Sequence, residues 1–428
     1  MTSKAEIYPK TLLVLLSVGV TLFVCEIGLR LLYGRQSEVL DYRDTWQTLE
    51  RGAVFGPGGF LKKGFRGEVQ DGFGRTVRWV NNSQGFRNDV EFAVPKPVGT
   101  FRILSLGDSF TGGYRVGQED TFSALTEEFL AQRNPKTRVE VMVSVIEDPA
   151  YGLYYLQQYG LEYEPDLVIL GITLGNDIQQ TLARLLYELD FHRGRGRISR
   201  KGEESSSQSV TGTGLESMRL PPQCLTEEKP SRGSLPPPAV ETYDRRRVQG
   251  LRMIQLLSDA RDHLFLDQAQ TVVSESGTYD EPLLWESHGL GLLLKDGPPE
   301  VLQAYDALFA VLDGFAKVTT AHGIRFMAVI FPQRYQVRAS DWSETKRVYR
   351  LKGECFDLER PNRLIMEYCA RTGINCLDPT NYLQSASAES LYLPRHDMHW
   401  NVKGHGVLTR FLAPKVESVM HSHQDDGR

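Results

Sequence analysis

At 428 residues the chain can bury one large core, or one core carrying a substantial insertion. A net charge of −5, with Lys and Arg interspersed among acids, excludes a basic field for holding nucleic acid. Five cysteines (Cys25, Cys224, Cys355, Cys369, Cys376) are odd in number and lack CxxC spacing, which argues against a zinc site or a disulfide scaffold. One pair could still cross-link in an oxidising compartment.

Lys4 and Lys10 precede an uncharged apolar run from Thr11 to Cys25. Spanning a bilayer takes roughly 20 residues, a length that Thr11 to Tyr33 reaches if Glu26 and Arg30 are tolerated. Their i,i+4 spacing lets them pair near one end of a helix and reach toward headgroups. No small-x-small cleavage site follows before Arg30, so an uncleaved N-terminal anchor over 1–35 is expected rather than a signal peptide. Basic residues flank the run on both sides, so the positive-inside count does not orient it.

Residues 36–99 are polar and rich in Gly and aromatics, with a turn expected at Asn82-Ser83-Gln84-Gly85-Phe86-Arg87. They are expected to form a membrane-proximal segment leading into the main folded domain. Regular alternation then begins. The run Arg102–Leu106 ends in Gly107 and reads as a buried strand. Glu119-Asp120 is placed to cap a helix over Thr121–Arg133, whose Phe122, Leu125, Phe129 and Leu130 share one face. A second strand is expected at Val139–Val145, a helix at Tyr151–Tyr163, and a third strand at Asp166–Thr173. Strands apolar on both faces and separated by helices predict βαβ units and a parallel sheet.

The stretch 193–240 carries Arg-Gly-Arg-Gly, Glu-Glu-Ser-Ser-Ser and Leu-Pro-Pro-Pro, a low-complexity composition that predicts a disordered insertion. Beyond it, helices are expected at Tyr243–Leu266, Val301–His322, Asn362–Thr372 and Val402–Met420, with strands at Arg325–Phe331 and Ile374–Leu377. The predicted fold is a three-layer α/β domain with a central parallel sheet. It is split into 100–192 and 241–420 by the insertion, tethered through 1–35 and closed by a polar tail at 421–428.

Three short segments carry chemistry: Gly107-Asp108-Ser109-Phe110-Thr111, Gly175-Asn176-Asp177 and Asp397-Met398-His399-Trp400-Asn401. Ser109 follows the first strand, at the carboxyl edge where open parallel sheets bind ligands. Its hydroxyl can attack a carbonyl and its N–H can donate to the oxyanion. Gly107 allows the tight turn there. Asn176 follows the third strand at the same edge, where a side-chain amide can serve as an oxyanion donor. Each segment alone is more often an ordinary turn or helix cap. His399 can take the serine proton while Asp397, two residues earlier, holds the other ring nitrogen. His396 is a rival base without a carboxylate two residues ahead. Trp400 suits a pocket wall or the core equally, and His405 suits packing. No Gly-x-Ser-x-Gly elbow, Walker A, dinucleotide fingerprint or His-Glu-x-x-His occurs, so no metal and no cofactor is called for.

The chain resembles the SGNH/GDSL hydrolase family, and more narrowly its bacterial membrane-anchored branch related to alginate O-acetylation proteins. The resemblance runs from about Asn82 to Met420 outside the insertion. It is carried by Asn82-Ser-x-Gly85-Phe86-Arg87, Gly-Asp-Ser-Phe-Thr111, Pro165-Asp166-Leu-Val168 leading into Gly-Asn-Asp177, Phe331-Pro332, and Asp397-x-His399-Trp400-Asn401-x-x-Gly404-His405. It implies a flavodoxin-like three-layer fold, Ser109 as nucleophile, His399 as base, Asp397 as its orienter and Asn176 as an oxyanion donor. A second donor in that family is the N–H of a glycine after the second strand. Here the turn reads Pro149-Ala150-Tyr151-Gly152, so the donor becomes Ala150. The resemblance implies an esterase acting on O-acyl, especially acetyl, esters of carbohydrates, periplasmic and anchored in the inner membrane. Two alternatives stay open at this point: an O-acyltransferase modifying an exopolysaccharide, and a catalytically weak polysaccharide-binding protein.

Overall fold

The computed structural model describes residues 39–40, 61–70, 76–192, 220–226, 289–387, 390–393 and 397–426. Among them no helix is long and apolar enough to cross a membrane. The anchor expected over 1–35 and the helix expected over Tyr243–Leu266 lie outside the described residues, as does the rival base His396.

The central sheet contains β4 (Thr100–Gly107), β5 (Arg138–Val145), β6 (Leu167–Thr173), β7 (Arg325–Phe331) and β8 (Cys376–Leu377), in the order β5-β4-β6-β7-β8. Every pairing is parallel. A smaller sheet joins β1 (Val39–Leu40), β2 (Arg66–Gln70) and β3 (Thr76–Val80). The strand order places β4 and β6 side by side, which brings the turns after Gly107 and Thr173 to one edge.

Alternation along each strand divides the core in two, because successive side chains of a strand point to opposite faces. Leu104, Leu106, Leu170, Ile172, Ala328 and Ile330 pack with α2 (Pro149–Gln158), α3 (Asp177–His192), α4 (Pro299–Ala321) and α7 (Arg360–Thr372). Phe101, Ile103, Ile169, Met327 and Val329 pack with α1 (Phe122–Arg133) and α9 (Val402–Asp426). Helices α5 (Arg334–Val337), α6 (Ala339–Tyr349) and α8 (Thr380–Ser385) complete the chain. The three layers expected from the sequence are present.

Several local expectations change. Thr121, not Glu119-Asp120, caps α1: its hydroxyl accepts from Ala124 N–H at 3.3 Å, while Gln118–Asp120 forms a short 3-10 turn. Helix α2 starts two residues early because Asp148 is its cap and Pro149 fits the first helical position. Its expected far end is instead a separate 3-10 turn, Gly160–Tyr163. Gly107 is required for space rather than turning, since a Cβ there would lie 2.0 Å from the Thr111 hydroxyl.

Within the insertion the described residues are 220–226. Leu220 and Cys224 are buried against Leu290, Leu293, Tyr335, Leu351 and Phe356, and Cys224 is bonded to Cys355. Cys369 and Cys376 form a second disulfide. The sequence allowed one cross-linked pair and the structure has two: one spans 131 residues, which no spacing rule pairs, and the other closes a seven-residue separation without a CxxC motif. Cys25 lies outside the described residues.

The segment before β4 is bound to the domain at its end. The expected turn forms, with Asn82 Oδ1 accepting from Gln84 N–H at 3.1 Å and Phe86 N–H at 2.9 Å. Asn88 then pairs with edge strand β5, donating to Val141 O at 2.9 Å and accepting from Val143 N–H at 3.0 Å.

Glu127 on α1 leads to a pH prediction. Burial, only partly offset by the Val141 N–H it accepts, pushes its carboxyl from 4.5 up to about 7, with Glu140 and Asp89 adding repulsion. The folded value lies above the unfolded one, so its stabilising contribution is full below about 4.5 and is lost as pH rises through about 7. Glu127→Gln keeps an acceptor for Val141 and removes the titration. Its melting temperature is expected to fall less than that of the wild type between pH 5 and pH 8.5. Equal falls in both proteins would remove Glu127 as the cause.

Candidate active site

Ser109 occupies the turn that leaves β4, which Asp108 shapes by accepting the Phe110 N–H at 3.0 Å. Tyr114 N–H then donates to Ser109 O at 2.9 Å. Arg87, buried and stacked 3.7 Å over the Trp79 ring, donates to Gly113 O at 2.8 Å and Val116 O at 2.7 Å. The loop behind the serine is therefore held by the turn segment at Asn82–Arg87.

His399 approaches from the far end of the chain. Its Nε2 lies 2.7 Å from Ser109 Oγ, across 290 residues of sequence. Its Nδ1 lies 2.7 Å from Asp397 Oδ1, which also accepts the His399 backbone N–H at 2.9 Å. Burial pushes the Asp397 carboxyl up. The His399 charge and its two hydrogen bonds, with Arg115 adding, outweigh this and hold it below the usual carboxylate range. An ionised Asp397 places the imidazole proton on Nδ1 and leaves Nε2 free to accept from Ser109.

The loop bearing the base is anchored on both sides. Leu393 N–H donates to His399 O at 2.8 Å, and Asn401 donates through Nδ2 to Ser390 O and Tyr392 O at 2.9 and 3.1 Å. Asn401 Oδ1 caps α9 by accepting from Gly404 N–H at 2.9 Å. Arg334, at the start of α5, donates to Asp397 O at 3.1 Å and pairs with Asp341 at 3.2 Å. The His399 ring lies 5.0 Å from Phe110 and 4.5 Å from Tyr114, so aromatic faces set its tilt. Trp400 belongs to the core: it is fully buried among Phe110, Phe122, Phe331 and His405. His405 is buried too, accepts the Phe122 N–H at 3.2 Å, and is held down to about 3 by burial.

Asn176 sits at the N-cap of α3, where its carbonyl accepts from Gln180 N–H at 3.0 Å. Its amide is not spent on capping. Nδ2 donates instead to Gln180 Oε1 at 2.9 Å and Asp177 Oδ1 at 3.2 Å. Ala150 is the second residue of α2, where helical N–H groups have no intrahelical acceptor. The Asp148 side chain takes the neighbouring Tyr151 N–H at 3.0 Å and is paired with Arg184 of α3, which also pairs with Glu147. The Ala150 turn and the Asn176 helix are thus tied together. Ile146 N–H donates to Gly107 O at 2.8 Å, which keeps the Ala150 turn beside the end of β4.

The structure brings Ser109, His399 and Asp397 into one hydrogen-bonded line and sets Asn176 and Ala150 on turns at the same sheet edge. Reading the sequence missed Arg87, Thr173, Asp177 and Arg334. The first three sit in or beside the quoted motifs, while Arg334 has no sequence signal beyond following Phe331-Pro332. Among the described residues no group of three or more His, Cys, Asp or Glu side chains is placed to hold a metal ion.

No protein-family model matches the chain, and no curated protein does. Several solved structures are similar to it at low identity. TesA shares 10% identity at a TM-score of 0.33, over 74% of this chain and 99% of that one. A mutant of Axe2, an acetyl-xylooligosaccharide esterase from Geobacillus Stearmophilus, shares 12% at a TM-score of 0.35, over 74% and 93%. An acetyl xylan esterase, AlAXEase, shares 10% at 0.34, over 74% and 98%. At these scores the fold stands on the chain's own strand order and layers.

Proposed function

We propose that the chain is a serine esterase of the SGNH type that works through an acyl-enzyme. The observation that carries this reading is the continuous Ser109–His399–Asp397 line, with 2.7 Å at each side-chain link. His399 Nε2 takes the Ser109 proton as Oγ attacks the ester carbonyl, and Asp397 steadies the imidazolium. The oxyanion is held by Ser109 N–H, Asn176 Nδ2 and Ala150 N–H, of which the last two lie on helix N-termini that favour negative charge. The alkoxide leaves with the His399 proton. Water, activated by the same ring, then releases the acid and restores Ser109.

The substrate proposed is an O-acetyl ester of a carbohydrate, the class that the family resemblance implies. The site belongs in the cell envelope, with 1–35 as anchor and the catalytic part outside the cytoplasm. Two disulfides support that placement, because such bonds persist in oxidising compartments.

A fluorophosphonate probe tests the enzyme reading. The folded wild type is expected to be labelled on one serine, and Ser109→Ala is expected to lose the label. Absence of Ser109-dependent labelling in folded protein removes the esterase and leaves the polysaccharide-binding reading. Supplying an acetylated and an unacetylated oligosaccharide together tests the acceptor. Free acetate supports the hydrolase, and acetate moved to the second sugar supports the O-acyltransferase.

A further inference from the structure

The nucleophile turn and the Asn176 turn are joined by hydrogen bonds that the proposed chemistry does not itself use. Asp108 Oδ1, which closes the turn around Ser109, also accepts from Thr173 Oγ1 at 2.9 Å. The Thr173 N–H donates to Asp177 Oδ2 at 2.7 Å, and Asp177 Oδ1 accepts from Asn176 Nδ2 at 3.2 Å. The links through Asp108, Thr173 and Asp177 are buried, these residues being 6%, 1% and 1% exposed, and only the last, to Asn176, is part-buried. Gln180, by contrast, is exposed and offers the Asn176 amide a competing acceptor at 2.9 Å.

We propose that Asp177 is a positioning residue that aims the Asn176 amide, with Thr173 tying that aim to the Ser109 turn. The inference rests on the esterase reading of the site. Each Asp177 oxygen faces an N–H donor, so a carboxyl group satisfies both where an amide could satisfy one. Without it, the Asn176 amide is left between Asp108 and the solvent-facing Gln180. Burial, and then the charge of Asp108, pushes the Asp177 carboxyl well above its ordinary range.

The test uses the full chain and p-nitrophenyl acetate. Asp177→Asn is expected to lower kcat by about 10²–10³, the size of losing one oxyanion donor, with KM little changed. Asn176→Ala should fall by a similar factor, and the double variant no further than Asn176→Ala alone. If Asp177→Asn fails to fold, Thr173→Val serves, since it keeps the backbone link and removes the hydroxyl. It should lose kcat, and Thr173→Ser should restore it. Losses that multiply in the double variant, or wild-type kcat in Thr173→Val, overturn the inference. A wild type with no Ser109-dependent turnover overturns the esterase reading instead, so the two failures are distinct.

Discussion

His399→Ala is expected to lower kcat on an acetyl ester by on the order of 10⁶, the loss that follows removal of a triad base. The size follows from the geometry. A serine hydroxyl is a weak nucleophile until a base takes its proton, and Nε2 at 2.7 Å is the base in reach. His405 cannot stand in: it is buried, has Nδ1 engaged by Phe122 N–H, and is held far below neutrality. The same variant should react slowly with a fluorophosphonate, since that probe needs the same activated oxygen. The aromatic faces of Phe110 and Tyr114 lose a partner, so thermal melting must show a folded protein before rates are compared. A loss under tenfold in a folded variant would falsify the assignment of His399 as base.

Asp397→Asn is expected to cost about 10⁴ in kcat while leaving the loop in place. Asp397 Oδ1 holds two donors, the Nδ1–H and the backbone N–H of His399. An asparagine oxygen in that place can still accept both, but it is neutral. The imidazolium formed when His399 takes the serine proton then loses its counter-charge, and the ring loses the partner that fixes its proton on Nδ1. Because Asp397 sits below its ordinary value, its contribution to stability is present above 3.8 and is lost as pH falls through the lower folded value. The variant should therefore lose the acid-side step in stability together with activity. Thermal melting between pH 2 and pH 6 checks the first, and steady-state rates at pH 7 the second. Wild-type kcat in the folded variant would show that another group orients His399.

What could be read from the sequence was whatever a local pattern encodes. The strands at 102–106, 139–145, 166–173 and 325–331 were legible because short, mainly apolar runs between helical stretches have few other uses. Ser109 and Asn176 stood out because their motifs follow strand ends, and Asp397 and His399 because an Asp-x-His spacing precedes the last helix. The rest needed the third dimension. Cys224 and Cys355 are separated by 131 residues, and no spacing rule pairs them. Arg334 reaches Asp397 only because α5 begins beside the last loop. Thr173 looked like a strand residue, and its two bonds became visible only with β4 beside β6. Leu220–Thr226 carries the composition of a linker, yet a buried leucine and a disulfide hold it down.

The distance in sequence between nucleophile and base has a consequence for how the protein comes into being. A chain is made from its N-terminus, so Ser109 emerges 290 residues before His399. Through that interval the β4 turn can form, but its serine has no partner able to take a proton. On the esterase reading, the serine gains its base only when the last loop docks, after the described strands of the central sheet have been made. A truncated product that stops before His399 would then lack the base.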